Sequence, residues 1–424
     1  MASASTLQIT SRIFVAPTTA ERLLAGGVLL LSSGAFLSIL RPEDSLTSGA
    51  RTGSIVTDVI WITLYLVFLQ RLYKNRRVLN EWLKLPWHVL ALYAVVLASI
   101  LWSEAPALSA LKIVGLCGSL LIACYLAGRF TPRALMKMLA TVLFTSMALS
   151  FLFALFVPTM GIGSGDFAGM WQGIYTHKNS LGLNMALAFM VFMVMATSRL
   201  ASRVICSLAA LAALLLVLLS RSSTSLVLCL VVLAVLMCRG LFRRHSRLII
   251  ALALALPIIA VKLDSDTLLN KGLELADRDP TLTGRTELWS AIVMVSERPW
   301  LGYGYGAFWR GADGPSFTVW KMANWEAFYS HNGFLDVWLD VGLVGLAILL
   351  MGIAISFRSA VVHWLADPSP ENVWQILFLL YLFISNLTEG TLLAINVLPW
   401  ILYLTVAIHL HRRRLIGVPA GATT

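Results

Sequence analysis

Long apolar runs recur along the whole sequence, and this pattern restricts the fold more than any other feature. About twelve runs approach the ~20 residues that a helix needs to cross a bilayer; they lie near 23–40, 54–70, 86–102, 110–127, 139–157, 179–197, 204–219, 224–238, 248–262, 335–356, 372–388 and 392–408. Charged residues make up only 12% of the chain, against about 25% in soluble domains. Because lipid offers the backbone no hydrogen bonds, such runs must be helical. The sequence therefore predicts an all-α polytopic membrane protein with about twelve transmembrane helices, in a single integral membrane domain over residues 1–424.

Two pairs of these runs are separated by only a few residues. They are 204–219 with 224–238, and 372–388 with 392–408. Each pair is either two spans or one re-entrant hairpin. The first run begins near Leu23 after a long and weakly charged start, whereas a cleaved signal peptide has a short basic start. We therefore expect this run to be an uncleaved transmembrane helix.

Basic side chains occur in every second loop. They group at 71–84, 129–137, 199–203, 239–247 and 412–414. Under the positive-inside rule these loops and both termini are cytoplasmic. The net charge of +11 is spread over short clusters between apolar runs, a pattern that argues against nucleic acid as a partner and for membrane lipid.

One loop on the opposite, outer side is far longer than the others. It covers residues 263–332, roughly 70 residues, where a connection above ~15 residues is usually functional. The loop is rich in acidic and aromatic residues. Within it, Thr283 is a candidate helix cap, Leu288 and Ile292 are spaced for one helical face, and Pro299 should stop the helix. We expect a short amphipathic helix that lies at the membrane surface.

The sequence lacks the motifs of most metal and cofactor enzymes. It has no Walker motif, no His-Glu-x-x-His pair, no Gly-x-Ser-x-Gly elbow and no closely spaced aspartate pair. The Gly-x-Gly-x-Gly run at 302–306 follows a proline rather than a strand, so a nucleotide fold is not expected. None of the five cysteines has the spacing of a metal site. We expect neither a metal nor a cofactor.

Two polar positions in the long loop are candidates for chemistry. His331, which is followed by Asn332, lies immediately before an apolar helix. It is either an interfacial residue or a general base, since histidine titrates near neutrality, and Asn332 would then hold the ring or a sugar hydroxyl. Arg285 begins the surface helix. It either pairs with Glu287 or a lipid phosphate, or it clamps a diphosphate through its planar, paired donors.

Two short outer loops add further positive charge. Lys178 lies in the segment 171–182, and Arg221 lies in the serine-rich segment 220–225. Charges at the ends of membrane helices either anchor the helix at the interface or face a cavity or a partner. Together with the long loop, these charges suit a lipid-linked phosphate substrate with a sugar head. Because arginines can neutralise a diphosphate leaving group, such a transfer requires no metal.

The motifs resemble those of the O-antigen ligase and Wzy-type polymerase superfamily over residues 85–405. The matching segments are Trp102 to Ser109, Gly284-Arg285 with Trp289, Pro299 to Gly304, His331 to Leu335, and Gly342 to Leu346. The loop with His177-Lys178-Asn179 looks most like the branch that contains the exopolysaccharide production protein ExoQ. Each motif alone is weak, but their order and topology are specific.

This resemblance implies glycan transfer from undecaprenyl diphosphate to an acceptor sugar on the periplasmic face of the bacterial inner membrane. It implies a catalytic histidine at His331 and a diphosphate-binding arginine at Arg285. The family's second arginine sits in a Ser-x-Ser-Arg pattern, where this chain has Ser223 and carries Arg221 two positions earlier.

The sequence thus leads to a glycosyltransferase hypothesis in which the chain polymerises exopolysaccharide repeat units. His331 is the predicted base, and Arg285, Arg221 and Lys178 the predicted diphosphate contacts. The predicted acceptor or sugar contacts are His177, Asn179, Asn332 and Trp289. Other polysaccharide export proteins are candidate partners. The alternatives are an O-antigen ligase that transfers polymer to lipid A core, and a transporter of polysaccharide or lipid-linked glycan.

Overall fold

A computed structural model describes residues 17–40, 55–74, 85–198, 200–238, 240 and 284–416. Within these ranges all regular secondary structure is helical, and an isolated bridge between Ile162 and Trp171 is the one β-type pairing. The predicted all-α class is therefore confirmed for the described residues. The predicted span at 248–262, the first part of the long loop and the Thr283 cap lie outside them.

Thirteen helices of the described residues are used below. They are α1 (Thr19–Ser32), α2 (Ile55–Lys74), α3 (Trp87–Ala98), α4 (Pro106–Arg129), α5 (Pro132–Phe156), α6 (Lys178–Ser198), α7 (Arg203–Leu219), α8 (Ser223–Met237), α9 (Arg285–Val295), α10 (Ser316–Ala323), α11 (Gly333–Ala366), α12 (Pro370–Ser385) and α13 (Leu398–Ile416). A 3-10 turn, Ser99–Trp102, extends α3. Proline begins α4, α5 and α12, where its missing N–H costs no helical hydrogen bond.

Five described helices are long and apolar enough to cross a membrane by length and composition: α2, α4, α5, α6 and α11. Shorter apolar helices add Trp87–Trp102, α7 and α8. These helices support a multi-pass membrane protein. The number of twelve spans stays a prediction.

The described connections alternate between two ends of the helix bundle. One end, here called the loop end, holds the turn at 103–105, the segment 157–177, the turn at 220–222, residues 296–332 and the segment 386–397. The opposite end holds the connections at 130–131 and 367–369 and the end of α13. The candidate residues of the long loop and of both short loops therefore share the loop end.

A break in α11 holds the long loop in place. At Gly342 the backbone has φ +69° and ψ −174°, a region open essentially to glycine alone. Residues 299–304 fill the break: Tyr303 N donates to Leu339 O (2.8 Å), and Leu343 N donates to Pro299 O (2.8 Å). The span that was predicted as continuous at 335–356 therefore contains a kink. The backbone of the glycine-rich run fills this kink, so the run is not a phosphate loop.

The segment from Trp102 to Ser109 docks onto the same insert. Trp102 Nε1 donates to Leu301 O at 2.9 Å, and Glu104 N donates to Tyr303 O at 3.1 Å. A methyl group at Gly304 would overlap the side chain of Ser103. Two of the motifs that carried the family resemblance therefore hold the outer loop against the bundle rather than perform chemistry.

The segment between α12 and α13, residues 386–397, is irregular and largely buried. Asn386 Oδ1 accepts from the N–H groups of Thr391 (2.8 Å) and Leu392 (3.1 Å). Asn396 N donates to the Oγ of Ser119, near the middle of α4, at 2.8 Å. Unwound backbone is tolerated at such depth only where protein satisfies it. The apolar run predicted at 392–408 therefore becomes helical only from Leu398.

Candidate functional site

A single carboxylate, Glu389, gathers the polar side chains of the loop end. Its Oε1 accepts from Asn179 Nδ2 at 2.8 Å and from Arg285 Nη2 at 3.1 Å. Its Oε2 accepts from the Tyr329 hydroxyl at 3.1 Å and lies 3.9 Å from His331 Nδ1. Four segments that are far apart in the sequence thus meet at one point, which the irregular segment 386–397 places between them.

His331 is held between two aromatic rings. The Trp325 ring stacks on it with centroids 5.0 Å apart, and the Tyr329 ring lies at 4.0 Å. The His331 backbone has φ +53°, which is uncommon for a non-glycine residue. Such conformations occur most often at active sites and ligand contacts. Its side chain is 16% exposed, and Nδ1 has no hydrogen-bond partner in the described part of the chain. The ring is therefore oriented by stacking, with Nδ1 facing Glu389 just beyond hydrogen-bond distance.

The backbone of Ser330, the residue before His331, is held by hydrogen bonds to two side chains. Ser330 N donates to Asp336 Oδ1 at 2.9 Å, and the Ser330 carbonyl accepts from Trp289 Nε1 at 2.8 Å. Asp336 also accepts from Trp309 Nε1 at 3.0 Å. The indole N–H of Trp289, a predicted sugar contact, thus helps to position Ser330 and the following His331.

Burial and positive neighbours keep both histidines of the site neutral. Desolvation, followed by the charge of Arg285, lowers the pKa of His331 to about 3. Desolvation, followed by the charges of Lys178 and Arg285, lowers the pKa of His177 to about 4. At neutral pH both imidazoles are therefore unprotonated, and each has one ring nitrogen with a lone pair.

This neutrality predicts a loss of stability in acid. Between about pH 6.5 and the lowered pKa of His331, the unfolded chain binds a proton that the folded chain does not, so the free energy of unfolding falls as the pH falls. The slope is at most about 1.4 kcal/mol per pH unit for each such histidine. We expect the melting temperature of the detergent-purified protein to drop between pH 7 and pH 5, and to drop less in His331→Gln. Equal pH slopes for the two proteins would contradict the buried neutral imidazole.

Arg285 begins α9 beside the histidine. Gly284, with φ +82°, precedes it, and the Arg285 side chain is only 11% exposed. Its guanidinium donates to the Thr388 carbonyl and to Glu389. Glu287 instead accepts from Thr286 at 2.9 Å. The alternative pairing of Arg285 with Glu287 is therefore wrong, and the helix itself, which ends at Val295 ahead of Pro299, is present as predicted.

The loop before α6 forms another wall of the site. Asn179 N donates to His177 Nδ1 at 3.2 Å, and its side chain reaches Glu389. The Phe167 ring packs edge-on against His177 with centroids 4.8 Å apart, and Lys178 Nζ lies 5.2 Å from the centre of the same ring. All three predicted contacts of this loop therefore lie at the loop end, and Asn179 is joined to the shared carboxylate.

Arg221 is less closely integrated. Its turn lies next to the site, because Thr224 and Thr388 share a hydrogen bond of 2.8 Å between their hydroxyls. The Arg221 side chain is exposed and its backbone has φ +50°, while its backbone N–H donates to Leu218 O at 3.0 Å. Its predicted role as a diphosphate contact stays a prediction.

Asn332 caps α11. Its Oδ1 accepts from the N–H groups of Phe334 (3.0 Å) and Leu335 (3.3 Å). This use of the carbonyl oxygen leaves the amide NH₂ for other contacts. Asn332 therefore stabilises the start of α11, which is a common role of Asn at an N-cap.

Sequence reasoning missed three residues of the site: Glu389, Trp325 and Tyr329. The signal for Glu389 was an acidic residue between two apolar runs, since carboxylates at such positions usually have a partner in the protein. Among the described residues no group of three or more His, Cys, Asp or Glu side chains is arranged to hold a metal ion.

Comparisons with known proteins agree with these motifs. Residues 185–350 match the model of the O-antigen ligase family, a range that contains Arg221, Arg285 and His331. The chain is 30% identical over 154 residues to the exopolysaccharide production protein ExoQ of Rhizobium meliloti (strain 1021). That alignment covers 34% of this chain and 35% of ExoQ, so the chain spans about a third of that relative. The predicted resemblance is confirmed.

Proposed function

From its resemblance to the O-antigen ligase and Wzy-type polymerase family, we propose that the chain polymerises exopolysaccharide repeat units. It transfers a growing glycan from undecaprenyl diphosphate to the acceptor sugar of another lipid-linked unit. The reaction takes place at the loop end, on the periplasmic face of a bacterial inner membrane, with both termini in the cytoplasm. The name of the relative ExoQ supports exopolysaccharide over O-antigen as the product.

The convergence on Glu389 is the observation that carries this proposal. It brings a neutral imidazole, a guanidinium and a side-chain amide together around one carboxylate that is 11% exposed. A base and an anion-binding group are the two components that glycosyl transfer from a diphosphate needs. Trp325 and Tyr329 add aromatic faces beside the base.

His331 is the proposed general base. The acceptor hydroxyl oxygen attacks the anomeric carbon of the donor, and its proton moves to His331 Nε2. The bond between that carbon and the diphosphate oxygen breaks, and the diphosphate leaves with the electron pair. Glu389, 3.9 Å from Nδ1, accepts a hydrogen bond from the Nδ1–H group after a small movement and stabilises the imidazolium without taking its proton, as an orienting carboxylate does in catalytic triads.

Arg285 is the proposed diphosphate contact. Two hydrogen bonds of its guanidinium go to Thr388 and Glu389, and a guanidinium has five N–H donors. Burial is the main cause of the lowered pKa of His331, and the charge of Arg285 is the second. A diphosphate bound at Arg285 offsets this second cause and so raises the pKa of the base when the donor is present.

Cells that make the polymer provide the first test. Deletion of the gene, followed by sizing of the glycan, should leave single repeat units and no long chains. Complementation with His331→Ala or Arg285→Ala should fail, since a general base usually contributes about 10²- to 10⁴-fold. Arg358→Ala, which removes an exposed arginine of α11, is the matched control and should restore long chains.

Two other outcomes would contradict the polymerase, and a third would contradict the role of His331. Free polymer that never joins lipid A core would identify a ligase. Cytoplasmic accumulation of lipid-linked units would identify a transporter. Wild-type chain lengths with a membrane-inserted His331→Ala protein would exclude His331 as the base.

A further inference from the structure

A cavity lies at the opposite end of the bundle from His331. It has a volume of about 370 Å³, within the ~300–1,000 Å³ usual for ligand sites. It opens between α3, α11 and α13, and its polar and aromatic lining is Trp87, His88, Ser356, Ser359, His411 and Arg414. None of these residues takes part in the proposed transfer.

One lining residue is an orphaned polar group. His88 is only 5% exposed, and neither of its ring nitrogens has a hydrogen-bond partner in the described part of the chain. Burying a polar group without a partner costs free energy. A buried imidazole in a cavity wall is therefore the expected feature of a site whose ligand supplies the missing hydrogen bond.

The cavity favours an anion, because its lining contains the Arg414 guanidinium beside His411 and no carboxylate of the described residues. The nearby acid Glu371 is paired with Arg133, with 3.1 Å between Oε1 and Nη2. Arg413, the neighbour of Arg414, is instead bound to Asn372 Oδ1 at 2.6 Å. The Arg414 side chain is exposed, and its guanidinium makes no hydrogen bond or ion pair with the described residues, which leaves it for a ligand.

We propose that this cavity binds a phosphate group, held by the Arg414 guanidinium, His411 and the buried His88 ring, with the Ser356 and Ser359 side chains in the same wall. Arginine matches phosphate oxygens with paired N–H donors. Basic pockets between membrane helices bind lipid head groups in this way, and Trp87, 53% exposed at the rim, is the type of residue found at the membrane interface. The phosphate belongs either to an anionic phospholipid or to the aqueous phase.

Binding of two phosphate sources to the purified full chain tests the site. Native mass spectrometry with phosphatidylglycerol should show one retained lipid per wild-type chain if the source is a lipid head group. A rise in melting temperature with inorganic phosphate would identify free phosphate instead. In either arm Arg414→Gln should bind about fivefold more weakly or worse, whereas the control Arg358→Gln, which removes an exposed arginine of α11 outside the cavity, should bind as the wild type does.

His88→Phe is the second variant. It keeps an aromatic ring and removes the orphaned nitrogens, so it should melt at or above the wild-type temperature while it loses the ligand. The proposal is wrong if neither phosphate source binds the wild-type chain. It is equally wrong if Arg414→Gln or His88→Phe binds as tightly as Arg358→Gln.

Discussion

Replacing Glu389 by glutamine is expected to reduce glycan transfer by about 10²- to 10⁴-fold, the range over which orienting carboxylates and general bases act. The amide keeps the shape and one acceptor oxygen, so Arg285 and Asn179 retain a partner. It cannot stabilise an imidazolium at His331, which lies 3.9 Å away. The loss should therefore appear in kcat, with the protein folded and inserted. The measurement is the transfer rate of the purified protein.

Glu371→Gln is the matched control. Glu371 is also a buried glutamate paired with an arginine, Arg133, but it lies at the opposite end of the bundle. We expect the Glu371→Gln protein to transfer glycan at close to the wild-type rate. If Glu389→Gln transferred as fast as Glu371→Gln, the carboxylate would have no role in the reaction.

Replacing Gly342 by alanine is expected to release the outer loop from the bundle. An alanine side chain would overlap the Trp300 carbonyl, and φ +69° with ψ −174° is strained for any residue with a Cβ. Strain of this type costs about 1–3 kcal/mol, and the overlap also opposes the hydrogen bonds at Tyr303 and Leu343. The variant should melt at a lower temperature and should be cleaved by protease within residues 296–306.

Gly27→Ala controls for the loss of a helical glycine. Gly27 lies in α1, and an added Cβ there meets no atom within 4 Å. Alanine favours helix over glycine by about 1 kcal/mol, so this variant should melt at or above the wild-type temperature. If Gly342→Ala resembled it in melting and in protease resistance, the insert would not depend on the broken helix.

Helices could be predicted from the sequence because their signal is local. The run predicted at 139–157 lies within α5 except for its last residue, and the run at 179–197 nearly coincides with α6. Apolar length and interrupting charges determine such segments without any knowledge of the neighbours. The helix at Arg285 and its end before Pro299 were also local predictions.

The break at Gly342 and the irregular segment 386–397 could not be predicted in the same way. A glycine in an apolar run has the same local pattern whether or not another segment inserts beside it. The carbonyls of Pro299 and Trp300, about 40 residues away in sequence, satisfy the broken turn. The buried segment likewise depends on Ser119 for a hydrogen bond. Long-range backbone partners of this kind leave no periodic signal.

The candidate site was predictable in its chemistry but not in its centre. His331, Arg285 and Asn179 were identified by residue type and family motif, and the structure brings these three side chains to one carboxylate. That carboxylate, Glu389, falls between two apolar runs and outside the family match over 185–350. Only the fold brings residues 179, 285, 331 and 389 together.

Transfer by the purified protein tests the role of His331 most directly. The wild-type chain in lipid nanodiscs, given an undecaprenyl-diphosphate-linked repeat unit, should form longer glycans and release one undecaprenyl diphosphate for each bond made. His331→Ala, purified as a folded protein, should not lengthen the glycan above the uncatalysed background. Equal rates of undecaprenyl diphosphate release from the two proteins would contradict general-base catalysis by His331.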